Sequence, residues 1–322
     1  MSLASLLDGC ARFDAEYRGG LSNHLPMGLL ALHRLGATPQ RLEEFARRHA
    51  ARLEPAPPAA AWPAGDAWAG RLGERAAWPA YRALFADWLS YEETGAVLSQ
   101  VLPRLLPGCG AAAFHGLIRT AYAVQHGHDG ELADALAYWA CRYLPLGAAP
   151  QGRQKSPAVL LGAVHAAVAG WSSSAGLIFE RMREVALLPG FGQAAARLHV
   201  HEGTLAALAH QAGGLYAASG NFTALHLVTS AHALRVLLPF VDDPTEAVGF
   251  YWLAFAAGFA SSGAQPGAVG DALTWPDIVA AVLRSDDEHL IKLVDSCREE
   301  ESAYGSDDWR LAASRAVMQE RS

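Results

Sequence analysis

The chain has 322 residues, enough for one large domain or two smaller ones, and 52% of them are hydrophobic. Its formal net charge of −7 argues against nucleic acid or an anionic membrane surface as the main partner. No apolar run is long enough to cross a membrane, the first residues lack the pattern of a secretion signal, and the four cysteines include no CxxC pair. The sequence therefore indicates a reduced, cytoplasmic protein without a disulfide framework or a thiolate zinc site.

Apolar residues recur at helical spacing along most of the chain, and Pro and Gly fall mostly between these segments. The predicted helices, in chain order, are 24–37, 39–53, 80–106, 114–127, 130–144, 156–171, 175–188, 194–213, 221–240, 244–262, 275–285 and 286–301. The sequence shows no strand pattern or βαβ alternation, and the Pro/Ala-rich residues 54–70 are predicted to be an ordered loop or lid. We expect an all-α protein, a single domain over residues 1–322 with about a dozen helices enclosing an apolar cavity.

Four histidines lie in apolar settings on four different predicted helices, two of them next to N-cap patterns. A histidine near a helix N-terminus has its protonated form disfavoured, and the neutral imidazole is the form that binds metals. Each of them alone is more simply explained as a core or capping residue, but together they predict a metal site inside a helical bundle. The four are His24, His115, His226 and His289.

Lys292 is one of only two lysines in the chain and lies one helical turn after His289. A buried lysine can lose its proton, and the neutral amine can react with carbon dioxide to give a carbamate, which is an oxygen ligand; arginine cannot do this. The alternative is an i,i+4 ion pair with Glu288, worth about 0.3–0.5 kcal/mol. Both interpretations stay open here. The first expects a sheltered Lys292 and a solvent-facing Glu288 that is not paired with it.

Arg119 and Tyr122 share one face of their predicted helix with His115. We expect both to face the same cavity as catalytic residues. Arg119 would stabilise an enolate or phenolate, and Tyr122 would donate or relay a proton.

Other motifs have simpler interpretations. His33 and His49 are expected on solvated helix faces, whereas His165, in an apolar segment, is expected to be buried with a partner. The adjacent His128-Asp129 pair raises a metal-dependent phosphohydrolase of the HD type. Residues 190–195 fit GxGxxA but follow a helix rather than a strand, so they are predicted to form a turn between helices.

Four sequence blocks together resemble the questin oxidase-like family. They are LSNHLPMGLLALHRLGATPQRLEEF (21–45), FHGLIRTAYAV (114–124), ALHLVTSAHALRVLLP (224–239) and DDEHLIKLV (286–294), and they contain all four histidines. The resemblance, which runs over most of the chain, implies an oxygenase acting on aromatic polyketides of the anthraquinone type, by Baeyer–Villiger-like steps or oxidative C–C cleavage. The Ala- and Arg-rich composition indicates a high-GC bacterial source, so the fungal substrate is not implied.

The sequence therefore predicts a metal-dependent oxygenase for a small aromatic substrate. His24, His115, His226, His289 and Lys292 would hold the metal. Histidine nitrogens with one oxygen donor suit Fe(II), although Zn, Ni or Cu would bind similar donors. Three alternatives stay open: a metal-free Baeyer–Villiger-type monooxygenase that uses external NADPH, a non-catalytic helical protein that binds small molecules, and the HD-type hydrolase. A homodimer is compatible with the sequence.

Overall fold

Sixteen α-helices and one two-stranded ladder form most of the regular structure of residues 1–65 and 67–321, which are the residues that the computed structural model describes. The helices are α1 (Leu3–Cys10), α2 (Leu25–Arg34), α3 (Pro39–Ala50), α4 (Trp78–Tyr91), α5 (Thr94–Leu105), α6 (His115–His126), α7 (Asp129–Cys141), α8 (Pro157–Ala167), α9 (Ile178–Ala186), α10 (Pro189–Ala195), α11 (Thr204–Ser219), α12 (Phe222–Leu237), α13 (Pro244–Ser261), α14 (Trp275–Val282), α15 (Glu288–Tyr304) and α16 (Asp308–Arg321). The ladder joins β1 (Glu16–Tyr17) to β2 (Leu21–Ser22) in antiparallel orientation. The prediction of an all-α, single-domain protein is confirmed.

Four of these helices form a closed ring at the centre of the fold. Helix α2 packs against α6 and α15, and α12 packs against the same two helices from the other side. The remaining helices surround this ring: α7 covers α6, α11 and α13 cover α12, and α16 covers α15. All four central helices bury side chains on more than one face, which is why their sequences are apolar almost all round.

Several helices begin where the sequence supplies an N-cap side chain. Thr38, Ser156, Asp243 and Thr274 each accept a hydrogen bond from a backbone N–H of the following turn, and each is followed by a proline at one of the first two helical positions. Asp287 does the same for α15 without a proline. Local sequence therefore sets where these helices begin.

The predicted helices differ from the structure mainly in two segments and in two helices that were not predicted. Segment 80–106 is two helices, α4 and α5, because Glu92 and Glu93 take extended backbone angles between them. Segment 194–213 becomes helical only at Thr204, and the preceding α10 occupies residues predicted to form a turn. Helices α1 and α16 were not predicted. In α16 the buried side consists of alanines around Trp309 and Val317, which gives a weak periodic signal.

Residues 54–70 form an irregular loop that ends in a 3-10 turn at Trp68–Arg71, except that Asp66 lies outside the described residues. The loop is anchored on α4, because the Trp62 ring lies 4.7 Å from the Tyr81 ring and the Tyr81 hydroxyl donates to the Trp68 carbonyl over 2.8 Å. Its role as a lid stays a prediction. Over the described residues, no helix is both long and apolar enough to cross a membrane.

Candidate metal centre

The four histidines singled out in the sequence lie together, near the N-terminal ends of the four central helices. His24 is the N-cap residue of α2, His115 the first residue of α6 and His289 the second of α15, whereas His226 lies in the second turn of α12. Neighbouring rings have centroids 4.5 Å (His24 and His289), 4.6 Å (His24 and His115), 5.1 Å (His115 and His226) and 5.5 Å (His226 and His289) apart. Each of the four imidazoles therefore contacts two of the others, and the cluster lies at the centre of the four helices.

Two facing nitrogens have the spacing expected of metal ligands. The Nε2 atoms of His24 and His115 are 2.8 Å apart, and one ring nitrogen from each of His24, His115 and His289 lies within 4.8 Å of the other two. Two nitrogens bound at a right angle to one ion, each about 2.0–2.1 Å from it, would be separated by about 2.9 Å. The observed spacing fits such a pair.

Backbone carbonyls fix the orientation of two of the rings. Nδ1 of His115 donates to the Ala112 carbonyl over 2.5 Å, and Nδ1 of His226 donates to the Phe222 carbonyl over 2.8 Å. A neutral imidazole that carries its proton on Nδ1 leaves a lone pair on Nε2. This is the arrangement in which proteins hold histidine ligands, with the second ring nitrogen bonded to an outer acceptor.

His24 has an unsatisfied nitrogen that a cation would explain. Because Nε2 of His115 carries a lone pair, Nε2 of His24 must act as the donor between them, which leaves Nδ1 of His24 unprotonated. That Nδ1 atom is buried, has no hydrogen-bond partner, and lies 3.9 Å from a carboxylate oxygen of Glu288. If the two Nε2 atoms held a cation, the proton of His24 would be on Nδ1, the ring nitrogen that faces Glu288. The donor set therefore fits a metal ion.

The surroundings keep all four imidazoles neutral. Burial is the largest cause, followed for His24 and His115 by the charge of Lys292 and for His226 by that of His289, and the pKa of each of these three lies well below its usual value. Burial also lowers the pKa of His289, although Asp287 opposes this. The positive ends of the central helices act in the same direction.

Lys292 is sheltered beside the histidines. Only 1% of its surface is exposed, and burial lowers its pKa to about 7, although Glu288 and Asp287 oppose the shift. When protonated, its ammonium group lowers the pKa of all four histidines. Lys292 forms no ion pair with Glu288 or with any other carboxylate of the described residues.

The prediction that Glu288 faces solvent is wrong. Glu288 is buried, and its Oε2 atom lies 3.0 Å from Nε2 of His49 and 3.5 Å from Nη2 of Arg52. Burial would raise its pKa, but the hydrogen bond with His49 and the neighbouring groups lower it to about 2. His49, expected on a solvated face, is buried as well because its ring stacks on Phe45, 3.8 Å away. The capping-box pattern in the sequence placed Glu288 at the start of α15, but it did not predict that α3 packs over this end of the helix.

A left-handed turn places His115. Three consecutive residues before it, Ala112, Ala113 and Phe114, have φ values of 46°, 56° and 69°. Residues with a Cβ atom rarely adopt this region, and each such residue costs on the order of 1–3 kcal/mol. The turn directs the Ala112 carbonyl at Nδ1 of His115. No glycine marks it, so the sequence gave no signal of its presence.

Arg119 pairs with carboxylates on α7, and Tyr122 is buried near Asp295. The Arg119 guanidinium lies between Glu131, with Nη2 2.8 Å from Oε2, and Asp134 at 3.6 Å. Burial and the neighbouring carboxylate of Asp295 raise the pKa of Tyr122. Neither residue has a hydrogen bond, ion pair or ring contact with the four histidines in the described part of the chain. The ion pairs give Arg119 a structural task, and the catalytic role of Arg119 and Tyr122 stays a prediction.

The remaining histidines lie outside the cluster. His33 is exposed, as expected. His165 was expected to be buried, but it is exposed because α8 lies at the surface and His165 is on its solvent-facing side. His128 is the N-cap of α7, its Nδ1 accepting from the Glu131 amide over 3.0 Å. In residues 1–65 and 67–321, the one group of side chains that could hold a metal is His24, His115 and His289. An HD-type site at His128 and Asp129 is therefore not formed.

The family profile described as Questin oxidase-like matches residues 21–297, a range that includes all four histidines and Lys292. The chain belongs to the questin oxidase-like family. Membership supports an oxidoreductase of the oxygenase type. A search of curated proteins gave no match.

Proposed function

We propose that this member of the questin oxidase-like family is a metal-dependent oxygenase that oxidises or opens an aromatic ring of a polyketide-like substrate with dioxygen. His24, His115, His226 and His289 would hold the metal, with Lys292 as a further ligand. The observation that carries the proposal is the cluster of four neutral imidazoles, in which one nitrogen each of His24, His115 and His289 lies close enough to the other two to share an ion, while the His226 ring contacts those of His115 and His289. A bound Fe(II) ion would supply the one-electron chemistry by which dioxygen reacts with a closed-shell ring.

The chain contributes orientation and a dry environment. The Nδ1 hydrogen bonds of His115 and His226 hold both rings in place before a metal binds, which lowers the cost of assembling the site. Burial of His24, His115 and His226 keeps most water away from the cluster, so charges that develop on substrate oxygen are screened less than in solution. The helix N-termini that meet at the cluster favour those negative charges.

Lys292 would act through its neutral amine. With a pKa of about 7, a large fraction of its side chain is unprotonated at neutral pH, as both direct ligation and carbamate formation require. Reaction of the neutral amine with carbon dioxide forms one N–C bond and releases one proton, and it leaves a carboxylate on a long arm. That oxygen would complete a ligand set of nitrogens and oxygen that suits Fe(II).

The proposal is tested by metal analysis and oxygen stoichiometry together. We expect one metal ion per chain in the protein as purified. Oxygen uptake with a hydroxylated anthraquinone should be lost on chelation and should return with Fe(II), but not with Zn(II). A chain that turns over with no metal bound would contradict the proposal.

The metal-free monooxygenase is distinguished by its consumption of NADPH. Monooxygenation puts one oxygen atom into the product and needs two electrons to reduce the other to water. Insertion of both atoms needs no reductant. Consumption of one NADPH per oxygen molecule by the metal-free protein would support this alternative, and a protein that binds the aromatic probe without any oxygen uptake would be a binding protein.

A further inference from the structure

A cavity of about 600 Å3 lies beside the imidazole cluster. It is bounded by the loop after α8, by α9, by the start of α12 and by the end of α13. A second cavity, of about 540 Å3, adjoins it and shares His165, Ala260, Ser262 and Gly263 in its lining. This volume is in the range of small-molecule sites and can take a molecule of several fused rings.

Phe222 separates this cavity from the histidines. Its ring centroid lies 4.9 Å from that of His226 and 4.7 Å from that of His289, while the residue also lines the cavity. Its side chain is unusually exposed for a phenylalanine at a buried site, with 54% of its surface accessible. The Phe222 ring therefore separates a molecule bound in the cavity from the proposed metal ligands.

Arg181 gives the cavity a positive charge that no carboxylate balances. None of the residues that line the cavity is acidic, in a chain whose net charge is −7. The Nε atom of Arg181 is buried and has no hydrogen-bond partner, and its guanidinium forms no ion pair with the described residues. A buried donor without a partner is costly, so the missing acceptor is best supplied by a ligand.

Two further features of the cavity suit a flat anion. Helix α12 begins in its wall, and the positive end of a 16-residue helix adds to the field of Arg181. Trp171, in the loop after α8, also lines the cavity and supplies an aromatic surface. Planar guanidinium groups bind carboxylates and other oxyanions through charge-assisted hydrogen bonds, which are about twice as strong as neutral ones.

We propose that the cavity bounded by Trp171, Arg181 and Phe222 is the substrate site, and that it selects flat aromatic compounds bearing an anionic oxygen, which Arg181 binds. This inference deepens the proposed function and rests on it for the chemistry that follows binding. Phe222 must turn aside for the ring to reach the histidines. Neutral aromatic compounds of the same shape bind more weakly, because Arg181 then keeps its unsatisfied donor.

The test compares two probes that differ in charge but share a ring system, anthraquinone-2-carboxylate and 2-(hydroxymethyl)anthraquinone. Binding to the protein as purified is measured by equilibrium dialysis under nitrogen, so that no oxygenation consumes the probe. We expect Arg181→Gln to weaken binding of the carboxylate about 10- to 100-fold and that of the neutral probe about twofold or less. Arg181→Lys should recover part of the affinity.

Arg183→Gln is the matched control, because Arg183 lies on the same helix but is exposed and does not line the cavity. It should bind both probes as the unaltered protein does. Circular dichroism confirms that each variant is folded. Absence of carboxylate binding by the unaltered protein, or an equal effect of Arg181→Gln on the two probes, would overturn the assignment.

A second measurement tests whether the cavity adjoins the histidines. The protein is loaded with Co(II), and its visible absorption is recorded as the carboxylate probe is added. A probe-dependent change that is larger in Phe222→Ala is expected, and no change in either protein would overturn the placement. Arg181-dependent binding in a protein that takes up no metal even when Fe(II) is supplied would leave the cavity assigned and refute the proposed metal-dependent oxygenase. Metal binding and turnover that do not depend on Arg181 would support the proposed oxygenase and refute the assignment of this cavity as its substrate site.

Discussion

The Nε2 atoms of His24 and His115, on two helices 91 residues apart in the chain, lie 2.8 Å from each other inside the core. Both rings are neutral, and only one of them can donate a hydrogen bond to the other. This leaves Nδ1 of His24 without a partner. The hydrogen-bonding capacity of the pair is therefore better satisfied with a bound cation than without one.

Replacing one histidine of the cluster should remove the metal. We expect His24→Ala or His226→Ala to lower the metal content of the purified protein to a small fraction of one ion per chain, because each removes a ligand that no neighbour can replace. Inductively coupled plasma mass spectrometry measures this. His33→Ala is the control, since His33 is exposed and outside the cluster. Full metal content in His24→Ala would contradict the ligand assignment.

Lys292→Arg should abolish metal binding or oxygen uptake and leave the helical circular dichroism intact. Charge is kept, but a guanidinium cannot lose its proton or form a carbamate. Lys155→Arg, at the other, exposed lysine, should behave as the unaltered protein does. Lys292→Glu should restore part of the metal content by supplying a carboxylate from a shorter arm. Normal turnover by Lys292→Arg would show that the amine has no chemical role.

Glu288→Gln should weaken metal binding about 10- to 100-fold, the usual effect of losing an outer partner of a histidine ligand. The Glu288 carboxylate, 3.9 Å from Nδ1 of His24, stabilises a proton there and so favours the tautomer that binds a metal. Competition with a chromophoric chelator gives the affinity. Glu299→Gln, on the same helix but 40% exposed, is the control and should keep full affinity.

The free energy of unfolding of the chelator-treated protein should increase as pH rises toward about 6.5. The four cluster histidines have lowered pKa values when folded, so in this range the unfolded chain binds more protons than the folded one. Each histidine contributes up to about 1.4 kcal/mol per pH unit. Urea titrations across this range measure the slope, which should be smaller in His226→Asn. An unchanged slope in His226→Asn would show that the cluster histidines do not cause the pH dependence of stability.

Gly116→Ala should destabilise the fold by about 1–3 kcal/mol. A Cβ atom at residue 116 would lie 2.7 Å from Cα of Trp139, which is backbone and fully buried, so α6 and α7 would have to separate beside His115. Thermal unfolding gives the change. Gly9→Ala is the control, because a Cβ atom there meets nothing within 4 Å, and its melting temperature should be unchanged or higher. An unchanged melting temperature in Gly116→Ala would mean that the helices adjust freely.

The sequence by itself placed the four central helices and pointed to the histidines that cluster between them. Periodicity and N-caps are local properties, so α2, α6, α12 and α15 could be placed from the chain alone. The rarity of lysine and the apolar settings of His24, His115, His226 and His289 pointed to the residues that the fold brings together.

Only the tertiary structure decided what surrounds that cluster. Glu288 and His49 are buried because α3 covers the start of α15. His165 is exposed because of the way α8 packs on its neighbours. The helical periodicity of the sequence predicts neither of these packing arrangements. Arg119 is a similar case. Its helical spacing predicted that it shares a face with His115, but in the structure its guanidinium binds the Glu131 carboxylate on α7. Ion pairs and cavities form between elements distant in sequence, so side-chain periodicity, which reports only on one helix, could not reveal them.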